Sequence, residues 1–148
     1  MRKIGIFVLT MSLLLALAGC HVRTSSNDNK EMEAKQQVAD MLEAMTHRDM
    51  EAVLALMHPD LLEGEIKKLP VIDHLQQIMD YMDGRKVLYF EQLSLNVNKS
   101  KGTAGTVTQE QATFKVGFAE ETVYVSATYL TENGKSGFTS YQLILGVV

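Results

Sequence analysis

The pattern of apolar positions divides the chain into a helical part and a strand part that meet near Gly84. Before Gly84, apolar residues recur at spacings of three and four, the period of a helix with one buried face. Three such stripes occur, formed by Ala34, Val38, Met41, Leu42 and Met45, by Met50, Val53, Leu54 and Met57, and by Val71, Leu75, Ile78, Met79 and Met82. The pattern therefore predicts three amphipathic helices.

The boundaries of these helices follow from polar capping residues and from prolines. We expect Asn27 or Asp28 to cap the first helix and Asp49 to cap the second, because a short polar side chain accepts a hydrogen bond from a free backbone N–H. Pro59 ends the second helix, and the third is expected to begin after Pro70, since proline disfavours a helix interior.

After Gly84 the apolar period becomes two, which is typical of β-strands. Alternating apolar residues define two strands, and residues 122–131 and 138–148 supply two more; the alternating residues are Leu93, Leu95 and Val97, then Ala112, Phe114, Val116 and Phe118. Turns are predicted at residues 98–102, at 119–121 and at Asn133-Gly134, a dipeptide typical of tight hairpins. The predicted fold class is α+β, with three N-terminal helices covering one face of an antiparallel sheet of about four strands.

The first twenty residues have a different pattern. Arg2 and Lys3 precede an apolar run over residues 4–18, and Leu17-Ala18-Gly19-Cys20 closes it. This order of charge, apolar run, small residues and cysteine resembles a bacterial lipoprotein signal peptide with its lipobox. The resemblance implies that residues 1–19 are removed and that Cys20 is acylated. We expect residues 20–29 to form a flexible tether reaching on the order of 30 Å, and residues 30–148 to form the domain.

Charge and cysteine content limit the partners of this domain. The chain has 14 Lys+Arg and 18 Asp+Glu; without Arg2 and Lys3 the balance is 12 to 18, a net charge of −6. No basic cluster stands out beyond Lys67-Lys68 and Arg85-Lys86, so nucleic-acid binding is not expected. An anionic membrane would repel such a domain, which leaves the acyl chains as the expected anchor. Cys20 is the single cysteine, so no disulfide forms within the chain.

The order of helices and strands also carries a resemblance. The segment His47-Arg48-Asp49-Met50-Glu51-Ala52-Val53-Leu54-Ala55-Leu56-Met57-His58-Pro59-Asp60 is similar to the second helix of the NTF2-like (cystatin-like) superfamily, and the Asn133-Gly134-Lys135 turn fits its last hairpin. The resemblance covers about residues 30–148. It implies a conical fold with a curved sheet, a cavity, and homodimerisation through the outer face of the sheet.

Two interpretations apply to the large buried side chains. Six residues could line such a cavity or could simply fill the core: Met41, Met45, Tyr89, Phe114, Phe118 and Tyr129. Some NTF2-like relatives are isomerases, and the resemblance places their carboxylate base near Glu63 or Glu65. It places their oxyanion-binding tyrosine at Met41, which cannot donate a hydrogen bond. A solvated acidic loop is the alternative for the two glutamates.

The histidines do not form a recognisable metal motif. His47, His58 and His74 are separated by eleven and sixteen residues, with no pair at i, i+4 and no cysteine nearby in sequence. We therefore expect no metal and no cofactor. His47 and His58 are expected at a helix end and in a loop.

These features together predict a lipid-anchored cell-envelope protein with a non-catalytic binding or assembly role. Its partner is expected to be another envelope protein or a second copy of the chain. The alternative is a small-molecule-binding protein or isomerase-like enzyme that uses the cavity. His21 follows the acylated cysteine in place of the aspartate associated with inner-membrane retention, so a Gram-negative host implies the outer membrane, facing the periplasm.

Overall fold

Three α-helices are followed by four long antiparallel strands, so the protein belongs to the α+β class. The computed structural model describes residues 23–26 and 31–146. The elements are β1 (Arg23–Ser26), α1 (Lys35–Thr46), α2 (Met50–Leu56), a 3-10 turn (Pro59–Leu61), α3 (Glu65–Met82), β2 (Tyr89–Gly102), β3 (Gly105–Gly117), β4 (Thr122–Glu132) and β5 (Lys135–Leu145). Among the described residues, no helix is both long and apolar enough to cross a membrane.

The strands form one antiparallel sheet in the order β1-β2-β3-β4-β5. β1 is a short edge strand in which Arg23 pairs with Lys99 and Ser26 pairs with Asn96. The expectation of a free tether over residues 20–29 is therefore wrong for 23–26, while the rest of that stretch lies outside the described residues. These residues form a strand because they pair with β2, since their own sequence has no apolar alternation.

One face of the sheet packs against the helices, as the alternating pattern predicts. This inner face carries Ala112, Phe114 and Val116 from β3 and Val123, Val125 and Ala127 from β4, each at most 1% exposed. The helical stripes meet it with Val38, Met41, Leu42, Met45, Val53, Leu75, Ile78, Met79 and Met82, which belong to the same hydrophobic cluster. Burial of these two apolar surfaces is what joins the two halves of the chain.

A β-bulge at Leu93 changes which residues of β2 face the core. Gln92 pairs with Phe114 and Ser94 pairs with Thr113, so Leu93 has no partner residue on β3. Beyond the bulge Leu95 and Val97 are buried, whereas Leu93 is 50% exposed. The prediction that Leu93 shares a buried face with those two residues is therefore wrong, because one extra residue shifts the alternation.

The helix boundaries confirm some predicted signals and correct others. Asp49 caps α2 by accepting a 3.0 Å hydrogen bond from the Ala52 N–H, and Gly84, with φ of 66°, follows the end of α3. The first helix begins at Lys35, so neither Asn27 nor Asp28 is its cap residue. The third begins at Glu65 and contains Pro70.

The position of Pro70 inside α3 is tolerated for a simple physical reason. Pro70 cannot donate to the carbonyl of Ile66, and this would be costly in a buried turn. The side chains of Ile66 and Leu69 are 91% and 58% exposed, so this turn faces solvent. Water can therefore satisfy the carbonyl that proline leaves free.

Two of the three predicted turns are confirmed. The hairpin at Asn133-Gly134 has φ of 50° and 75°, as a type I′ turn requires, and residues 119–121 connect β3 to β4. The predicted turn at 98–102 is wrong, because the β2–β3 ladder continues to the pair Gly102–Gly105. The polar residues there belong to strands that extend into solvent.

Helix α1 lacks a side-chain cap of its own, and the sheet supplies acceptors in its place. The Met32 N–H donates to Gln92 Oε1 and the Glu33 N–H donates to Glu110 Oε1, each over 2.8 Å. Glu110 is only 5% exposed on the inner face of β3. A carboxylate near a helix N-terminus also interacts favourably with the helix dipole.

We predict that Glu110→Ala lowers the free energy of unfolding by about 1 kcal/mol, because it leaves the partly buried N–H of Glu33 without its acceptor. Glu110→Gln keeps an acceptor oxygen and should lose less. Gln111→Ala is the control, because Gln111 is the exposed neighbour on β3. Urea unfolding measures all three variants, and equal losses for Glu110→Ala and Gln111→Ala would contradict this role.

Candidate functional site

Most of the six side chains that could line a cavity are packed into the core. Met41, Met45 and Phe114 are fully buried and Phe118 is 8% exposed, all within the main hydrophobic cluster. Tyr129 packs edge-on against Phe138 with ring centroids 5.0 Å apart. Their contacts favour the core-filling interpretation, which is the common use of flexible methionine side chains.

Tyr89 is the exception among these six. It is 47% exposed, and its ring lies directly over Gly117 of the neighbouring strand. Its hydroxyl is 3.3 Å from Thr122 Oγ1. A side chain at position 117 would collide with the ring, so glycine at this position is what lets the tyrosine lie flat on the sheet.

The two glutamates proposed as a base are exposed. Glu63 precedes Gly64, and Glu65 begins α3; both side chains face solvent. They therefore lack the apolar surroundings expected of a general base in a binding cavity.

An open groove lies between the end of α1 and the α3–β2 connection. Its volume is about 450 Å³, and Leu42, Val87 and Phe90 line it together with polar groups from Glu43, His47 and Arg85. None of the residues proposed from sequence as a base or as cavity lining belongs to it. A second concavity, of about 360 Å³, lies on the other side of Glu43 and His47.

Each of the three histidines His47, His58 and His74 has a hydrogen-bonding contact with the backbone. His47 Nδ1 lies 2.8 Å from the Glu43 carbonyl oxygen at the end of α1, and His74 Nε2 lies 3.0 Å from the Tyr141 carbonyl oxygen on β5. His58 is 1% exposed, and its Nδ1 accepts a long hydrogen bond from the Asp60 N–H. His58 also packs against Gly137, where any side chain would meet the His58 backbone.

A cluster of possible metal ligands surrounds His58. One ligand atom from each of His58, Asp60 and Glu132 lies within 4.8 Å of the others. Lys135 Nζ, however, is 2.7 Å from Asp60 Oδ1, so a cation from the protein itself already neutralises the carboxylate. This ammonium holds the pKa of Asp60 below its ordinary value of 3.8, and the same pairing raises the pKa of Lys135. The cluster is thus accounted for as an ion pair between the 3-10 turn and the β4–β5 hairpin.

The outer face of the sheet carries exposed apolar side chains in a defined register. Glu91, Lys115, Tyr124 and Ile144 stand in one register row across four strands. Ile144 is 48% exposed, and Tyr124 beside it is half-buried. We define the outer-face stripe as four residues of this face: Tyr89, Leu93, Tyr124 and Ile144. Elsewhere this face is polar, with Thr113, Ser126, Gln111 and Thr128.

Glu110 is not among the sequence-based candidates, and of the outer-face stripe only Tyr89 is, there as a residue that could line a cavity. Glu110 was identifiable, because it precedes Ala112 and Phe114 at the inward phase of the same alternating strand. The stripe was not, because it depends on strand register and on the bulge at Leu93.

Comparison with protein-family models, with curated proteins and with solved structures finds no match for this chain.

We predict that Asp60→Asn destabilises the protein at neutral pH, and that the loss disappears in acid. The pKa of Asp60 is lower in the folded protein, so the unfolded chain takes up its proton first as the pH falls. The ion pair therefore stabilises the folded protein fully above about pH 3.8. This stabilisation is lost as the pH falls through the lower pKa that Asp60 has in the folded protein. Thermal unfolding of wild type and variant from pH 7 to pH 2 measures the difference.

Glu120→Gln provides the control, because Glu120 is an exposed carboxylate in the β3–β4 turn. Its effect on stability should be small, because this side chain is exposed. A constant difference between Asp60→Asn and wild type across the acid range would show that the ion pair with Lys135 is not its cause.

Proposed function

We propose that this chain is a lipid-anchored cell-envelope protein whose domain binds another envelope protein or a second copy of itself. The anchor is the acylated Cys20, left after residues 1–19 are removed. The lipobox-like order of residues 2–20 supports this step. With His21 after the cysteine, the outer membrane facing the periplasm is the proposed location in a Gram-negative host.

The outer-face stripe is the observation that carries the binding role. Tyr89, Leu93 and Ile144 are each about half exposed, although they are large apolar or aromatic side chains on a regular sheet. Large apolar side chains exposed on a sheet face are typical of interaction sites. Glu91 and Lys115 lie in the same region with opposite charges, so a partner can be recognised by charge as well as by apolar contact.

The domain itself is proposed to be NTF2-like. Three helices before the four long antiparallel strands and helical cover on one sheet face are the features that support this relation. Dimerisation through the outer face, which the resemblance implies, would bury the stripe in a symmetric contact.

The enzymatic alternative is not favoured by a specific observation. The proposed bases are exposed, and the residues proposed as cavity lining are mainly core. The proposal therefore places recognition on the outside of the domain.

Crosslinking in intact envelopes tests the proposal. Wild type is expected to give a crosslinked adduct, either a dimer or a partner complex, and Ile144→Glu is expected to abolish it, because a charge would be buried against apolar surface. The matched control is Gln111→Glu, which adds the same charge at an exposed position in the polar part of the same face. It should retain the adduct.

Wild type recovered from envelopes as an uncrosslinked monomer would contradict the binding role. An adduct that survives Ile144→Glu would instead place the interface elsewhere. Thermal unfolding of both variants checks that the loss of the adduct is not a loss of folding.

A further inference from the structure

Strand β1 fixes the place where the anchored end of the chain joins the domain. β1 runs antiparallel to β2, with Arg23 opposite Lys99 and Ser26 opposite Asn96. Cys20 precedes Arg23 by three residues. Because consecutive Cα atoms are 3.8 Å apart, covalent geometry alone keeps Cys20 within about 11 Å of Arg23. This is much shorter than the reach of a free ten-residue tether.

The β2–β3 hairpin projects from the sheet at the same end. Thr108 is the last residue of β3 that pairs with β4, yet β2 and β3 remain paired as far as Gly102 and Gly105. Three further residue pairs extend the hairpin by roughly 10 Å beyond Thr108. The hairpin therefore lies beside the strand from which the lipid anchor hangs.

This hairpin is basic, although the domain as a whole is acidic. Lys99 and Lys101 are exposed and form no ion pair with any described residue, and residues 99–109 contain no acidic residue. The β3–β4 turn at the opposite end of the sheet contains the exposed Glu120 and Glu121, of which Glu121 is paired with Arg85.

The adjoining carboxylates cancel only part of this charge. Asp60 is paired with Lys135, whereas Glu132, which stands opposite that lysine in the strand register, leaves one negative charge against the two lysines of the hairpin. At physiological salt, charges interact over about 8 Å, so the charge of the hairpin matters more at a surface beside it than the net charge of the whole domain.

From these features we infer that the β2–β3 hairpin lies against the headgroups of anionic phospholipids in the anchoring membrane. The inference rests on the proposed acylation of Cys20. Each lysine close to an anionic surface contributes roughly a five-fold preference for the membrane-apposed orientation. The domain is thereby held with the hairpin toward the bilayer and the acidic β3–β4 turn away from it.

A pair of labelled variants tests this orientation. Ala104→Cys places a thiol at the tip of the hairpin, and Ala119→Cys places one in the β3–β4 turn; both alanines are exposed. Since Cys20 is the single cysteine and is blocked when acylated, each variant has one reactive thiol. The mature protein carries a fluorophore at that thiol and is reconstituted into vesicles of phosphatidylglycerol and phosphatidylcholine that contain a headgroup quencher.

We expect several-fold stronger quenching at position 104 than at position 119. Adding Lys99→Glu with Lys101→Glu, or replacing phosphatidylglycerol by phosphatidylcholine, should remove most of the difference while the protein still sediments with the vesicles. Lys86→Glu is the matched control for Lys101→Glu, because Lys86 is an exposed lysine in the α3–β2 connection. It should leave the quenching at 104 unchanged.

Sedimentation with the vesicles and mass spectrometry of Cys20 distinguish the proposed orientation from the proposed lipid anchor. Equal quenching at both positions in protein that sediments, with Cys20 acylated by mass spectrometry, overturns the orientation alone. The orientation is also overturned if Lys101→Glu lowers the quenching at position 104 no more than Lys86→Glu does. Protein that carries an unmodified Cys20 and stays in solution overturns the anchor, and the orientation with it.

Discussion

The structure depends on one constraint, which is that the apolar face of the antiparallel sheet must be covered and the helices are what cover it. Hydrophobic burial is the main favourable term in folding, and a sheet with one apolar face is stable only when another layer packs on it. Here Phe114, Val116 and Val125 on the sheet meet Met41, Met45 and Met79 on the helices, and all are at most 1% exposed. Because methionines adapt to irregular gaps, this contact fills the space between the layers.

Sequence periodicity was sufficient for the parts of the fold that bury a continuous stripe or an alternating face. The stripe of α3 from Leu75 to Met82 and the alternation in β3 from Ala112 to Val116 were both predicted correctly, because burial itself creates those patterns. Asp49 and Asn133-Gly134 were also readable, since their roles depend only on local backbone geometry.

The sequence-based predictions fail where contacts with a distant part of the chain determine the local structure. β1 is a strand because β2 offers it an edge, and the stretch 98–102 is strand because β3 pairs with it, although both have the composition of loops. Pro70 is tolerated because its turn faces water. The bulge at Leu93 reverses the phase of β2, so the exposed apolar stripe on the outer face could not be located before the register was known.

The same register gives the domain a charge polarity that no count of residues reveals. Lys99 and Lys101 lie on the hairpin beside β1, whereas Glu120 and Glu121, the latter paired with Arg85, lie at the far end of β3. The overall net charge suggested repulsion from an anionic membrane, but the distribution of charge over the two ends of the sheet favours one orientation above it.

The occupied interior is the claim that most of this account requires, and xenon binding followed by methyl NMR tests it directly. Apolar cavities in proteins are dry and take up xenon, which shifts the signals of the methyl groups around it. The account predicts that the methyl signals of Met41 and Met45 respond to xenon pressure no more than that of Met50 at the partly exposed edge of the core. A saturable shift confined to Met41 and Met45 would reveal a cavity between the helices and the sheet, and would contradict the account.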